Sequence, residues 1–351
     1  MISDRLPSFG HARPAPAHRF LSRALARPSV PAVVVLVLVV VFFWVQAPAL
    51  STNAGLAGIL DVAAPLGIGA VAVALLLIAG QFDLSVGVMA LGSPLLTAML
   101  IGEAGWPAWP ALLASLLAAL VVGVVNGVLV VNTGLPSFLV TLATFLVLQG
   151  TALAGFEVVA GSTQVGGLDA APGWNSAAAV FGSSAELGGA RFHVAVLWWV
   201  AATALATWAL WRTRFGNAVF ASGGARTAAR ELGVPVRRTT VALFCLTATA
   251  GWLIGTLGLF RVESVPLVNP GVGTALDFLV VAVIGGCLLT GGYGSAIGAA
   301  VAALLYAVAR QGITVAGWDP RWFQTLLGAL LLLALVANGV VRRRLKAVPR
   351  S

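Results

Sequence analysis

The chain reads as an all-α polytopic membrane protein of about ten transmembrane helices, on the strength of its composition, its apolar runs and its placement of charge. Of its 351 residues 60% are hydrophobic and 9% charged, where a soluble domain carries roughly 25% charged residues, so a soluble globular fold is excluded. The apolar runs repeat at the length of about 20 residues that a helix needs to cross a bilayer. The formal charge of +9, from 20 basic and 11 acidic residues, is gathered in three places. Arg5, Arg13, Arg19, Arg23 and Arg27 precede the first run, six arginines lie between Arg212 and Arg238, and Arg342, Arg343, Arg344, Lys346 and Arg350 close the chain. Such clustering follows the positive-inside rule of membrane topology and gives no reason to expect nucleic acid.

The elements follow in order. Residues 1–29 form a basic tail, and the apolar run 31–50 is longer than the roughly 7 to 15 residues of a signal-peptide core, which makes it an uncleaved first span. Further runs at 54–79, 84–101, 108–131, 137–159 and 193–211 bring the count to six before the basic loop at about 212–238. An even count returns the chain to its starting side, so the N-terminus and this loop are both expected in the cytoplasm. Runs at 239–260, 277–290, 295–314 and 322–341 then return the tail 342–351 to the same side. The transmembrane domain thus covers about 30–341, with its longest external loop at about 160–192, where an external partner has room to dock.

The eighth run, Asp277 to Thr290, is short for a crossing, and Gly285, Gly286, Gly291, Gly292 and Gly294 crowd its end. A broken helix bordering a pathway and close packing through small residues both account for that pattern. Four groups of residues carry chemical information. In Gly80-Gln-Phe-Asp-Leu-Ser-Val-Gly87, Asp83 and Ser85 are placed to cap the third span, yet a carboxylate near hydrocarbon also suits a pathway or gate. Gly80 to Gly87 loosely echoes Gly285 to Gly292, a weak sign of duplicated halves. Asp277 opens the eighth run as a cap or a gating group, and Asn126 and Thr141 add polar groups within the membrane, where Asn126 can bond a neighbouring helix. The cytoplasmic loop predicts a short helix over Ala225 to Leu232, basic, Ala-rich and framed by Gly223, Gly224 and Gly233, suited to the groove of a soluble partner. Cys245 and Cys287 stand in apolar runs without metal-ligand spacing and read as core residues, so no metal site is expected.

These blocks, in this order from about residue 54 onward, resemble the permease subunits of ABC importers for ribose, xylose, arabinose and related monosaccharides. The resemblance rests on the Asp-Leu-Ser-Val-Gly turn at Asp83, the block Pro136-Ser-Phe-Leu-Val-Thr-Leu142, the loop from Phe215-Gly216 through Gly223-Gly224 to Ala228-Ala229-Arg230, and Leu276-Asp277 with Ile284-Gly285-Gly286. Gln81, Ala225, Leu288, Asn217 and Tyr293 depart from the family pattern. The resemblance implies a bacterial inner-membrane protein paired with a second permease subunit, as homodimer or heterodimer. It further implies two cytoplasmic ATP-binding cassette ATPases that hold ATP and magnesium, and an extracytoplasmic sugar-binding protein. Gly224, Arg226, Ala228, Ala229, Arg230 and Glu231 would then couple to the ATPase, and Asp83, Ser85, Asn126, Thr141, Asp277, Gly285 and Gly286 would belong to the pathway or its gate.

No Gly-x4-Gly-Lys-Ser/Thr loop occurs, so the chain is expected to have neither ATPase activity by that route nor a cofactor of its own. The sugar is not legible, and autoinducer, nucleoside and branched-chain amino-acid permeases are related closely enough to remain open. An ion-coupled carrier using Asp61, Asp83 or Asp277 is the alternative, although no intramembrane lysine or histidine partners them. A structural or biogenesis protein would account for the spans and not for the ordered blocks.

Overall fold

A computed structural model describes residues 29–160, 164–165, 167–266 and 273–347. Thirteen α-helices lie among them. They are α1 (Ser29–Gln46), α2 (Asn53–Ile78), α3 (Ser85–Gly102), α4 (Ala108–Thr133), α5 (Ser137–Ala160), α6 (Trp174–Phe181), α7 (Ala195–Arg212), α8 (Arg214–Gly224), α9 (Arg226–Glu231), α10 (Val236–Val262), α11 (Gly273–Ile284), α12 (Ala296–Val315) and α13 (Trp322–Ala347). Seven of these, α1 to α5, α10 and α12, are long and apolar enough to cross a membrane. The remaining expected spans coincide with α7, α11 and α13. The basic N-terminal tail lies outside the described residues.

Helix α2 is the axis of the bundle, with nearly every side chain from Ala63 to Ile78 buried. It packs on α7, α10, α11 and α12, while α10 also packs on α3 and α4, and α12 on α1. Outward faces of α1, α4 and α5 carry Leu38, Val45, Leu117, Val121, Leu146 and Val147, all exposed. In lipid such faces are at home, because hydrocarbon solvates them. Small residues set the closest approaches. A Cβ on Gly123 would meet the Phe244 carbonyl oxygen at 2.7 Å, one on Gly127 the Val241 Cα at 2.7 Å, and one on Gly255 the Ala90 carbonyl oxygen at 2.5 Å. Gly123-Val-Val-Asn-Gly127 and Gly251-Trp-Leu-Ile-Gly255 are thus two GxxxG faces that let α10 settle against α4 and α3.

Four expectations change. The eighth run is helical over Gly273–Ile284, twelve residues, which at 1.5 Å per residue reach about 18 Å of a core about 30 Å thick. Its predicted continuation to Thr290 is a turn, since Gly286, Gly291 and Gly292 all have positive φ, which favours glycine and ends a helix. Asp277 lies inside α11 and does not cap it. The segment before the expected coupling helix is not a loop: α8 occupies it, capped by Thr213, whose hydroxyl oxygen accepts the Gly216 N–H at 3.2 Å.

The expected external loop is also structured. Strands β2 (Ser184–Leu187) and β3 (Ala190–His193) form an antiparallel hairpin with Ser184 opposite His193, turning through Gly188-Gly189, both at positive φ as a two-residue hairpin turn demands. Asn53 Nδ2 donates to the Gly188 carbonyl at 3.1 Å and pins the hairpin to the start of α2. Two further strands, β1 (Gln164–Val165) and β4 (Val265–Pro266), pair antiparallel. Helix α6 is seated by aromatic contact: Trp174 lies 4.4 Å from Phe260 between ring centroids, and Phe181 stacks on Trp198 at 5.6 Å.

Candidate functional site

At the end of the bundle that carries the basic loop, the turn from α2 to α3 is threaded through the hydroxyls of other helices. The Phe82 N–H donates to Ser137 Oγ at 2.9 Å and the Leu84 N–H to Thr141 Oγ1 at 3.1 Å. Asp83 Oδ1 accepts both the N–H and the hydroxyl of Ser85, at 2.8 and 2.6 Å, while Asp83 Oδ2 accepts the Thr247 hydroxyl at 2.5 Å. The chain of bonds continues from Asn126 Nδ2 to Ser85 Oγ at 2.9 Å and from the Thr144 hydroxyl to Asn126 Oδ1 at 2.6 Å. Asp83 is 1% exposed, and Asn126, Thr141 and Thr247 are fully buried. A carboxylate in such a place is costly unless donors surround it. Here they come from α3 and α10, and Asn126 on α4 and Thr144 on α5 extend the knot to four helices.

The sequence placed Asp83, Ser85, Asn126 and Thr141 in one class, and the fold brings the four together. It does not bring Asp277 to them. Asp277 Oδ2 accepts the Tyr306 hydroxyl of α12 at 3.1 Å, a separate tie between α11 and α12. Gly285 serves the same tie: a Cβ there would come within 2.6 Å of the Gly298 carbonyl, and Gly286 makes the turn that follows, at φ +94°. Thr247, Thr144 and Ser137 were missed by sequence reasoning. A signal existed, because Asn126 sits inside one GxxxG face and Thr247 lies four residues before the other, where helices approach closely enough for short polar side chains to meet.

Beside the knot, three segments meet backbone to backbone. A Cβ on Gly223 would stand 1.9 Å from the Ile78 carbonyl oxygen and 2.6 Å from the Gly292 nitrogen, and one on Gly291 would stand 2.9 Å from the Gly80 Cα. The Gly292 N–H donates to the Ile78 carbonyl at 2.8 Å. The end of α8 is therefore wedged between the end of α2 and the turn after α11. Helix α9 follows directly. Ala229 is 5% exposed and faces the protein's own body, Arg226 is half-buried, and Gly224, Ala228, Arg230 and Glu231 are exposed, with Leu232 at 84%. Burial and the neighbouring Arg230 guanidinium lower the Arg226 pKa from its ordinary value.

The opposite end carries an ionic clasp. Arg261 Nη2 of α10 lies 2.9 Å from Asp61 Oδ2 of α2, and His193 Nε2 of β3 lies 3.9 Å from the same oxygen. The absence of a lysine or histidine partner, expected from sequence, is thereby corrected for Asp61, whose partners sit at the ends of their elements where sequence spacing gives no hint. Among the described residues no three His, Cys, Asp or Glu side chains cluster to hold a metal.

Residues 55–335 match the family model described as branched-chain amino acid transport system / permease component. The chain is 30% identical over 292 residues to the fructose import permease protein FrcC of Rhizobium meliloti, covering 81% of this chain and 78% of the relative. It is 29% identical to the galactose/methyl galactoside import permease protein MglC of Escherichia coli, over 64% of this chain and 65% of the relative. To the xylose/arabinose import permease protein XylH of Sulfolobus acidocaldarius it is 27% identical, over 88% and 83%. No solved structure matches it. An α-helical bundle with membrane-length helices and this extended match identify the chain as a member of the branched-chain amino acid transport system / permease component family.

Proposed function

We propose that the chain is the membrane permease of an ATP-driven importer and forms the passage for a monosaccharide of the pentose or hexose class. Family membership and the relatives named for fructose, galactose, xylose and arabinose support the substrate class. The observation that carries the mechanism is the glycine junction: a basic, surface-exposed segment is joined to the ends of α2 and α11 through backbone contacts with no flexible side chain between them. Energy comes from partner ATPase subunits, which hold ATP and magnesium, dock on α8–α9 in the cytoplasm and move it. Because side-chain slack is absent at Gly223, Gly291 and Gly292, that motion passes directly to α2 and α11. In this reading the chain passes the membrane at all ten expected places, at the eighth by the half-length α11 together with the turn that follows it, both termini are cytoplasmic, a second permease subunit completes the passage, and an extracytoplasmic binding protein delivers the sugar to the face that carries α6 and the β2–β3 hairpin. The relatives give the ion-coupled alternative no support, each being named an import permease of a sugar, and Asp61, Asp83 and Asp277 are each engaged by a partner side chain.

The test uses the exposed side of α9. Ala228→Trp and Arg230→Glu should leave the permease inserted and folded while weakening its co-purification with the ATPase and its sugar-stimulated hydrolysis by about tenfold, the equivalent of 1.4 kcal/mol. Ala229→Trp instead overfills an intramolecular contact and should lower the thermal stability of the isolated permease. If Ala228→Trp and Arg230→Glu both leave ATPase retention and transport at parental values, α9 is not the coupling element.

A further inference from the structure

Where α4 ends and α10 begins, a cavity of about 560 Å³ opens between α4, α9 and α10. Asn132 of α4, Arg230 of α9, and Arg237 and Arg238 of α10 supply its polar lining. Arg237 donates to Asn132 Oδ1, a tie across 105 positions of the chain, while Arg230 and Arg238 enter no ion pair among the described residues. These charges stand where the local structure disfavours them. The first turn of α10 holds no acidic residue and its N-terminus has no side-chain cap, so Arg237 and Arg238 add cationic charge to the positive end of a helix. The positive-inside rule places arginines on this side of the membrane. It does not require three of them, from two elements, to line one cavity.

Next to the cavity, toward the membrane, the surface is apolar. Along α4, Val128 and Val124 precede Asn132 at steps of four residues, and along α10 Ala242 and Leu246 follow Arg238 at the same step, so each set shares a helix face. All four are exposed, Val124 at 43% and Val128 at 39%. Gly123 lies against Phe244 and Cys245, and Gly127 against Val241, so α4 and α10 run antiparallel. One step along each chain from the Gly127–Val241 contact therefore turns Val128 and Ala242 to the same side. Two apolar stripes, side by side, lead from the arginines along two helices of membrane-crossing length.

We propose that this cavity binds the headgroup of an anionic phospholipid, with its phosphate on the arginines and its acyl chains along the α4–α10 seam. The inference goes beyond the transport reading and shares with it only the cytoplasmic placement of this end. Basic pockets between membrane helices on the cytoplasmic side suit phosphate headgroups, and the guanidinium fork matches a pair of phosphate oxygens. An acidic segment of a soluble partner would meet the arginines and leave the seam bare. A phospholipid covers both.

The test takes the purified full-length permease, alone and with its ATPase, and compares by native mass spectrometry its binding of phosphatidylglycerol and of phosphatidylcholine with the same acyl chains. The parental protein should prefer phosphatidylglycerol. Attraction worth about a factor of five per arginine makes the double variant Arg237→Gln/Arg238→Gln bind it roughly 25-fold more weakly. Asn132→Asp sets a nearly isosteric carboxylate against Arg237 and should weaken binding roughly fivefold, with phosphatidylcholine binding and ATPase retention at parental values. It keeps every arginine and so the topology signal, and it decides alone if the double variant fails to insert. Parental phosphatidylglycerol binding in Asn132→Asp overturns the proposal. ATPase lost from Asn132→Asp with lipid binding unchanged overturns it too, and gives the cavity to the ATPase. Displacement of phosphatidylglycerol by an equal concentration of inorganic phosphate likewise overturns it, leaving a site for free anions. Lipid binding by the permease alone needs neither sugar nor ATPase, so a parental complex that takes up no monosaccharide would overturn the transport reading and leave this one standing.

Discussion

Helix α10 is fastened to the α2 side of the bundle at mid-length through Thr247 and at its C-terminal end through Arg261, and the two fastenings differ in kind. At the hairpin end the Asp61–Arg261 pair is open to water, with side chains 21% and 42% exposed. Toward the basic end Asp83 meets Thr247 in a knot from which water is excluded. An exposed pair contributes about 0 to 1 kcal/mol and is screened by salt. A buried network is far harder to part, because every group left behind loses a partner it cannot replace with water. The first is a clasp that opens and closes cheaply, and the second is a pivot. A bundle built this way admits rearrangement at its hairpin end while its basic end, next to the glycine junction, moves as one piece.

The sharpest way to break this contrast is at the pivot. Asp83→Ala strips the acceptor from the Ser85 N–H, the Ser85 hydroxyl and the Thr247 hydroxyl, and should cost about 2 to 4 kcal/mol in the detergent-solubilised permease. Thermal unfolding reads that loss directly. Asp83→Asn keeps one acceptor oxygen and should lose about half as much; equal stability of both variants with the parent would show that the knot holds nothing.

Next comes the close approach that makes the knot possible. Gly123→Leu pushes its side chain into the backbone at Phe244 and Cys245, and overpacking of this kind costs about 1 to 3 kcal/mol. Its distinctive consequence is a coupled one: it should weaken the effect of Asp83→Ala in a double-mutant cycle, since α10 no longer sits close enough for Thr247 to reach. Strict additivity of the two would separate the GxxxG face from the knot.

The smallest effect belongs to the clasp. Asp61→Asn should change thermal stability by less than about 1 kcal/mol, and most of that difference should vanish at high salt. A destabilisation as large as that of Asp83→Ala would erase the distinction between the two fastenings.

Much of the architecture was legible in one dimension. Nine of the ten apolar runs became helices within a few residues of their expected bounds, because the bilayer requires each backbone to satisfy its own hydrogen bonds over a length the hydropathy pattern displays. The eighth was expected to be short and is, although it begins and ends earlier. The loops were less legible. Thr213 signals the cap that starts α8, yet Gly216, Gly223 and Gly224 argue against a helix there, and only the close passage of α2 and the Gly291-Gly292 turn explains why glycines were required inside one.

Composition, apolar periodicity and the three arginine clusters by themselves determined that this chain is a multi-span membrane protein and where its helices lie, because solvation by lipid acts on each segment separately. Asp83, Ser85 and Asn126 were recognisable as polar groups in an apolar setting for the same reason. Tertiary structure alone decided which of them meet, that Thr247 and Thr144 complete their shell, and that Ala229 faces inward while Ala228 faces out. Those outcomes depend on distances between residues up to 164 positions apart in the chain, as Asp83 and Thr247 are. No local pattern specifies such distances; helix packing through small residues does.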